Sequence, residues 1–308
     1  MNSRENKALS WSLKALGPQA ELLSVNPLKG GMSSLVQKLT VKEGERKKDY
    51  VLRLVNNKDW LKIEPDLALH EARALQKAEG IKVPAPLLVD FDEDGSGAGM
   101  PALLMTRIEG KVELRPLDMN QWIKELAGSL ISIHHTDAGD FRWDYFTYTD
   151  LHTLQPPAWS NFTDEWKRIF RIVNVTRPET KLCFIHRDYH PANVLWKNNK
   201  VSGVVDWVNA CRGPAGIDIG HCRWNLAMMY GVETADAFLE AYQSEAGEAT
   251  DIYHPYWDIL SLINVYSVTP PAVYPGWPAF GLAHLTDQLM IERMDRYMLS
   301  LLERWEDT

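Results

Sequence analysis

FIHRDYHPANVLWKNNKVSGVVDW, residues 184–207, is the stretch whose reading decides the fold. The apolar run Leu182 to Ile185 reads as a buried strand leading into a polar knot, His186, Arg187, Asp188, Tyr189 and His190, which Pro191 closes. A second run, Val194 to Trp196, meets Asn198 and Asn199, residue types that tolerate the positive φ of a tight hairpin. The chain then returns as Val201 to Val205 and ends on Asp206. Such a hairpin predicts Asn193 and Asp206 side by side, with Asp188 on the loop leading in. Two carboxylates and an amide make an all-oxygen cluster, which suits a hard cation such as Mg²⁺.

This string resembles the catalytic loop of the protein-kinase-like fold, H-x-D-x-x-x-x-N followed by a metal-binding Asp on the next strand pair. More closely it resembles the aminoglycoside phosphotransferase family, which includes choline and other small-molecule kinases. His186, Asp188, His190, Pro191 and Asn193 carry that likeness, as does CRGPAGIDIGHCRWNL, where a Gly-rich turn precedes a helix opened by Asp218. The resemblance implies that Asp188 orients or accepts the proton of a substrate hydroxyl. It implies Asn193 and Asp206 as Mg²⁺ ligands, and His186, His190 and Asp218 as supports of the loop. Phosphoryl transfer asks mainly for positioning and charge neutralisation, which these groups supply.

The fold implied is α+β and bilobal, with a β-rich nucleotide-binding lobe over residues 1–108 and a mostly helical catalytic and substrate-binding lobe over 109–308. At 308 residues the chain is long enough for both. No apolar run approaches a membrane span and the N-terminus lacks a signal-peptide core, so a cytoplasmic protein without a membrane partner is expected. Cys183, Cys211 and Cys222 show no zinc-like spacing and fit a reducing compartment. Charge is uneven, net +1 over residues 1–110 and net −9 over 111–308. An acidic second half argues against nucleic acid and favours a cationic small substrate by steering.

Residues 8–23 read as a helix until Gly17-Pro18 interrupts it. Gly30, Gly31, Ser33 and Ser34 then precede a hairpin, Leu35 to Val41 and Tyr50 to Val55, where backbone N–H groups and hydroxyls suit phosphate. Arg53 stands where the resemblance places a Lys that grips nucleotide phosphates, and its planar fork is not equivalent to an ammonium. Helix 68–80 places Glu71 to pair with Arg53. Two further strands lead to Met105, Thr106 and Ile108, an interlobe hinge whose backbone is expected to meet the purine of ATP, with GTP as the alternative.

A helix from Leu117 to about His134 opens the second half, with His134 and His135 read as charges at its C-terminus. Trp143, Tyr145, Tyr148, Trp159 and Trp166 are either core or the wall of a cleft for a cationic acceptor. The reading is a Mg-dependent kinase acting on a hydroxyl of a small molecule that is aminoglycoside-, choline-, homoserine- or sugar-like. Three alternatives accompany it. One is a catalytically silent nucleotide-binding module. A protein kinase is opposed by His190 in place of a Lys and by the absence of an A-P-E segment. A metal hydrolase would use His186, Asp188 and His190 as ligands.

Overall fold

The computed structural model describes residues 3–28, 34–174, 177–247 and 253–307. They form a mixed α+β fold in two compact units. One comprises Met1–Glu109 with Gly203–Asn209, the other Gly110–Ser202 with Ala210–Thr308.

In the first unit, helix α1 (Ser3–Leu16) starts earlier than the expected residue 8 and ends at the Gly17-Pro18 interruption, so residues 20–23 of the expected helix are strand instead. Gly17 follows at φ 98° and Pro18 lacks an N–H to donate, so the chain leaves the helix and enters strand β1 (Ala20–Pro27). Strands β2 (Leu35–Glu43) and β3 (Arg46–Leu54) form the expected hairpin. Two short helices follow, α2 (Lys58–Ile63) and α3 (Leu67–Ala78), then β4 (Leu88–Asp92) and β5 (Ala102–Thr106). The sheet is antiparallel with order β1-β2-β3-β5-β4. Strand alternation sorts its faces. Leu39, Val41, Tyr50, Leu52 and Leu54 pack with Ala8 and Leu9 of α1, whereas Arg53 points to the opposite face, toward Glu71 of α3.

The second unit contains β6 (Lys111–Val112), α4 (Met119–His134), α5 (Thr163–Val173), β7 (Leu182–Ile185), β8 (Val194–Lys197), the first three residues of β9 (Lys200–Val204) and β10 (Cys211–Pro214). It continues with α6 (Ala215–Tyr230), α7 (Val232–Ala246), α8 (Pro255–Val265) and α9 (Asp287–Glu306). Helix α4 is capped as its sequence predicts, the Asp118 carboxylate accepting the Gln121 N–H at 3.0 Å. Helix α6 is buried on almost every side and packs against α7, α8 and α9. Gly220 makes the approach to α8 feasible, since a Cβ there would stand 2.6 Å from Ser261 Oγ and 2.9 Å from Asp258 Cα. The fully buried Arg223 of α6 is held by Asp258, Asp236 and Tyr253.

The division differs from a single cut after residue 108, because Gly203–Asn209 leaves the second unit and packs in the first. Val204 N–H donates to Pro84 O at 2.9 Å, and Trp207 and Val208 are buried against α3. A heptapeptide so committed cannot be placed by reading the chain as two consecutive segments. Among the described residues no helix is long and apolar enough to cross a membrane.

Candidate active site

The loop after β7 is built from its backbone outward. Strand β7 pairs antiparallel with β10, Ile185 opposite Cys211, and the chain then leaves the sheet with Arg187 at φ 65°. A non-glycine residue in the left-handed region needs outside support. Asp218, fully buried on the first turn of α6, gives it by accepting the His186 N–H at 2.7 Å and the Arg187 N–H at 2.6 Å. His134 Nε2 lies 3.1 Å from the same carboxylate, and its Nδ1 lies 2.8 Å from the Tyr242 hydroxyl. The reading of His134 as a helix-end charge is therefore corrected: its side chain is buried and braces the brace.

One helical turn beyond Asp218, His221 brings Nε2 to 3.1 Å from Asp188 Oδ1. His190 Nε2 stands 3.8 Å from the same oxygen, while His190 Nδ1 accepts the Ala192 N–H at 3.2 Å and caps the 3₁₀ turn Pro191–Asn193. Asn193 Nδ2 donates to the Asp188 carbonyl at 2.9 Å and to Asp188 Oδ2 at 3.3 Å. Burial works against ionisation of Asp188. The His221 hydrogen bond and the electrostatic influence of the His190, His221 and His186 imidazoles outweigh it and hold the carboxyl well below the usual carboxylate range. Tyr189 points the other way, its hydroxyl 2.5 Å from Ser129 Oγ and donating to Leu126 O at 2.8 Å, so α4 anchors the loop from behind.

His186 is fully buried, with its ring against Tyr189. The residues that approach as metal ligands are Asp188, His190 and His221. The ligand trio His186, Asp188 and His190 is therefore corrected: the strand after β7 does not continue, so alternate residues do not face one way. His221 was missed in the sequence, although its spacing of three from Asp218 puts both on one helical face.

Arg187 accounts for the neighbouring aromatics. Its guanidinium lies 4.3 Å from the Phe146 ring centroid, 4.8 Å from Tyr148 and 5.4 Å from Tyr145, and donates to Phe146 O at 2.7 Å. The cation that Tyr145 and Tyr148 hold is thus the protein's own. Trp166 is core, and Trp159 stands edge-on to it.

In the first unit, Arg53 donates from Nη1 to Glu71 Oε2 at 3.2 Å and from Nη2 to Asp206 Oδ1 at 2.6 Å. The expected Arg53–Glu71 pair is present, and Arg53 and Glu71 are both buried. Burial raises the Glu71 carboxyl to about 7 against the pull of Arg53, with Asp206 pushing the same way as burial. Asp206 sits at φ 70°. Ser34 is buried and its hydroxyl has no hydrogen-bond partner among the described residues. Gly30, Gly31 and Ser33 lie outside the described residues. Met105 lies within the sheet between β3 and β4, and the Thr106 N–H donates to Leu87 O at 2.8 Å. Of the three hinge residues, Ile108 alone stands beyond the sheet's strands.

A model of the phosphotransferase enzyme family (APH) matches residues 24–260. The chain belongs to that family. The chain is 26% identical over 158 residues to an aminoglycoside 3'-phosphotransferase of Enterococcus faecalis, the match covering 46% of the chain and 59% of that relative. Solved structures share its fold. Choline kinase LicA from Streptococcus pneumoniae superimposes with a TM-score of 0.61 at 16% identity, covering 98% of this chain and 100% of the other. Amicoumacin kinase hAmiN in complex with AMP-PNP, Ca²⁺ and Ami gives 0.55 at 16% identity, covering 92% and 88%.

Proposed function

We propose that this phosphotransferase is a kinase that moves the γ-phosphate of ATP, or of GTP, onto a hydroxyl of a small molecule with Mg²⁺. The observation that carries the reading is Asp188, an ionised carboxylate fixed by His221 and Asn193 on a loop that Asp218 pins at both adjoining amides. A carboxylate so oriented accepts the proton of an attacking hydroxyl and holds its oxygen in line. The donor set fits a hard cation. Asn193 turns its amide nitrogen to Asp188 and leaves Oδ1 as a ligand, and Asp206 has Oδ2 remaining after Arg53 takes Oδ1. When bound, Mg²⁺ neutralises phosphate charge. Arg53, backed by Glu71, supplies a further fixed positive charge for the phosphates, Gly30 to Ser34 supply N–H and hydroxyl donors, and the backbone near Met105, Thr106 and Ile108 meets the base.

The relatives act on aminoglycoside and choline, and one holds the ATP analogue AMP-PNP with a divalent cation. A small hydroxyl acceptor follows by likeness, and the acidic balance of residues 111–308 favours an amine-bearing one. The test is nucleoside-diphosphate release with Mg²⁺ across amino-alcohols, aminoglycosides and sugars, beside Asp188→Ala. Acceptor-dependent release that disappears in the variant is expected. Intact Mg-nucleotide binding with no release from any acceptor would instead identify a silent binding module.

A further inference from the structure

Asp188, His190 and His221 form a constellation of a second chemical kind. One ligand atom from each, a carboxylate oxygen and two imidazole nitrogens, lies within 4.8 Å of the other two. Two of the separations, both from Asp188 Oδ1, are 3.1 Å to His221 Nε2 and 3.8 Å to His190 Nε2. Bonds of about 2.0–2.2 Å in a tetrahedral site put neighbouring ligand atoms roughly 3.3–3.6 Å apart. These two values bracket that range, so small side-chain rotations close the site. Two imidazoles with one carboxylate suit zinc and its first-row neighbours rather than Mg²⁺. Side-chain exposures of 19%, 30% and 17% for His190, Asp188 and His221 give an ion access from solvent.

We propose that Asp188, His190 and His221 form a site for a transition-metal ion of the Zn²⁺ class, whose occupation withdraws Asp188 from catalysis. The site goes beyond the kinase reading and does not involve the Mg²⁺ ligands Asn193 and Asp206. Its frame is already built: His221 rides on α6 and Asp188 on the loop that Asp218 pins from the same helix. The ligands are unequal. Binding through His190 Nε2 moves the ring proton to Nδ1 and gives up the Ala192 N–H bond, whereas His221 Nε2 already faces Asp188 Oδ1 at 3.1 Å. Asp188 and His221 therefore anchor the ion and His190 completes the set. The thiols do not compete: burial pushes Cys183 up to about 12, with Asp218 adding to it, and burial raises Cys211 and Cys222 as well.

Co²⁺ is the probe, added to the full chain after chelator treatment and read by its visible absorption. The expected result is saturable binding at one site, displaced by one equivalent of Zn²⁺. His221→Ala should weaken it at least roughly tenfold, and His190→Ala less. His221→Gln, which keeps a hydrogen-bond donor beside Asp188 but is a poor ligand, should behave as His221→Ala does, with circular dichroism confirming that both variants fold. Binding unchanged in both His221 variants, thiolate charge-transfer bands, or no saturable binding up to about 1 mM Co²⁺ would each overturn the proposal. Because the readout requires no turnover, its failure leaves the kinase reading standing, and failure of the kinase reading leaves it standing.

Discussion

At the scale of single residues, the site depends on carboxylates with different work. In the proposed function Asp188 takes the proton of the attacking hydroxyl, so Asp188→Asn should lower acceptor-dependent turnover by about 10²- to 10⁴-fold with nucleotide affinity preserved, which steady-state kinetics and calorimetry separate. Asp218 works on the backbone. Asp218→Ala would strand the His186 and Arg187 amides and should cost about 2–5 kcal/mol in urea unfolding. Glu71 offers a pH signature. Its folded value is raised from the ordinary 4.5 to about 7, so its contribution to stability is full below 4.5 and is lost as pH rises through about 7. Wild type should therefore hold a larger advantage over Glu71→Gln at about pH 5 than at about pH 8, and an equal difference at both would remove this assignment. The Arg53–Glu71 pair and the bracing of the loop by Asp218 were legible in the sequence because each belongs to a spaced motif. His134 and His221 were not: each acts on a loop far from it in the chain, and only the fold reveals which helical face meets that loop.

At the scale of elements, the hairpin between β8 and β9 turns on Asn198 and Asn199, at φ 54° and 61°. These are the left-handed values expected from the sequence, and they make a sharp prediction. Asn199→Gly should leave stability unchanged or raise it, while Asn199→Ala should cost about 1 kcal/mol, both read from thermal melts. The segment beyond β9's start was harder to foresee. Gly203 lets the chain pass Ile108 and Pro84, since a Cβ there would stand 2.6 Å from Ile108 Cδ1 and 2.7 Å from Pro84 O. Backbone cannot yield as a flexible side chain can, so Gly203→Ala should destabilise by about 1–3 kcal/mol. In the sequence that glycine looks like one more residue of a strand, because the atoms it must clear belong to Ile108 and Pro84, far earlier in the chain. The break in α1 at Gly17 was legible in the sequence, whereas the leucine spacing hid that residues 20–23 beyond it are strand.

At the scale of the whole molecule, ligand binding and folding share one free energy. If Arg53, Asp206 and the Gly30-Gly31 segment hold a Mg-nucleotide, the native chain alone binds it, and stability rises with ligand by mass action. AMP-PNP with Mg²⁺ at about a hundred times its dissociation constant should add about 2.7 kcal/mol, a rise of roughly 4 °C in Tm for a chain of this size. Two substitutions separate binding from chemistry. Arg53→Met removes the cation that neutralises Asp206 and supplies charge to the phosphates, so its ligand-induced shift should collapse. Asp188→Asn leaves that cation in place and should keep the full shift while losing turnover. The opposite pattern, a shift that survives Arg53→Met and vanishes with Asp188→Asn, would mean that the nucleotide is held by the loop of the second unit, and the roles given to Arg53 and Glu71 would have to be withdrawn.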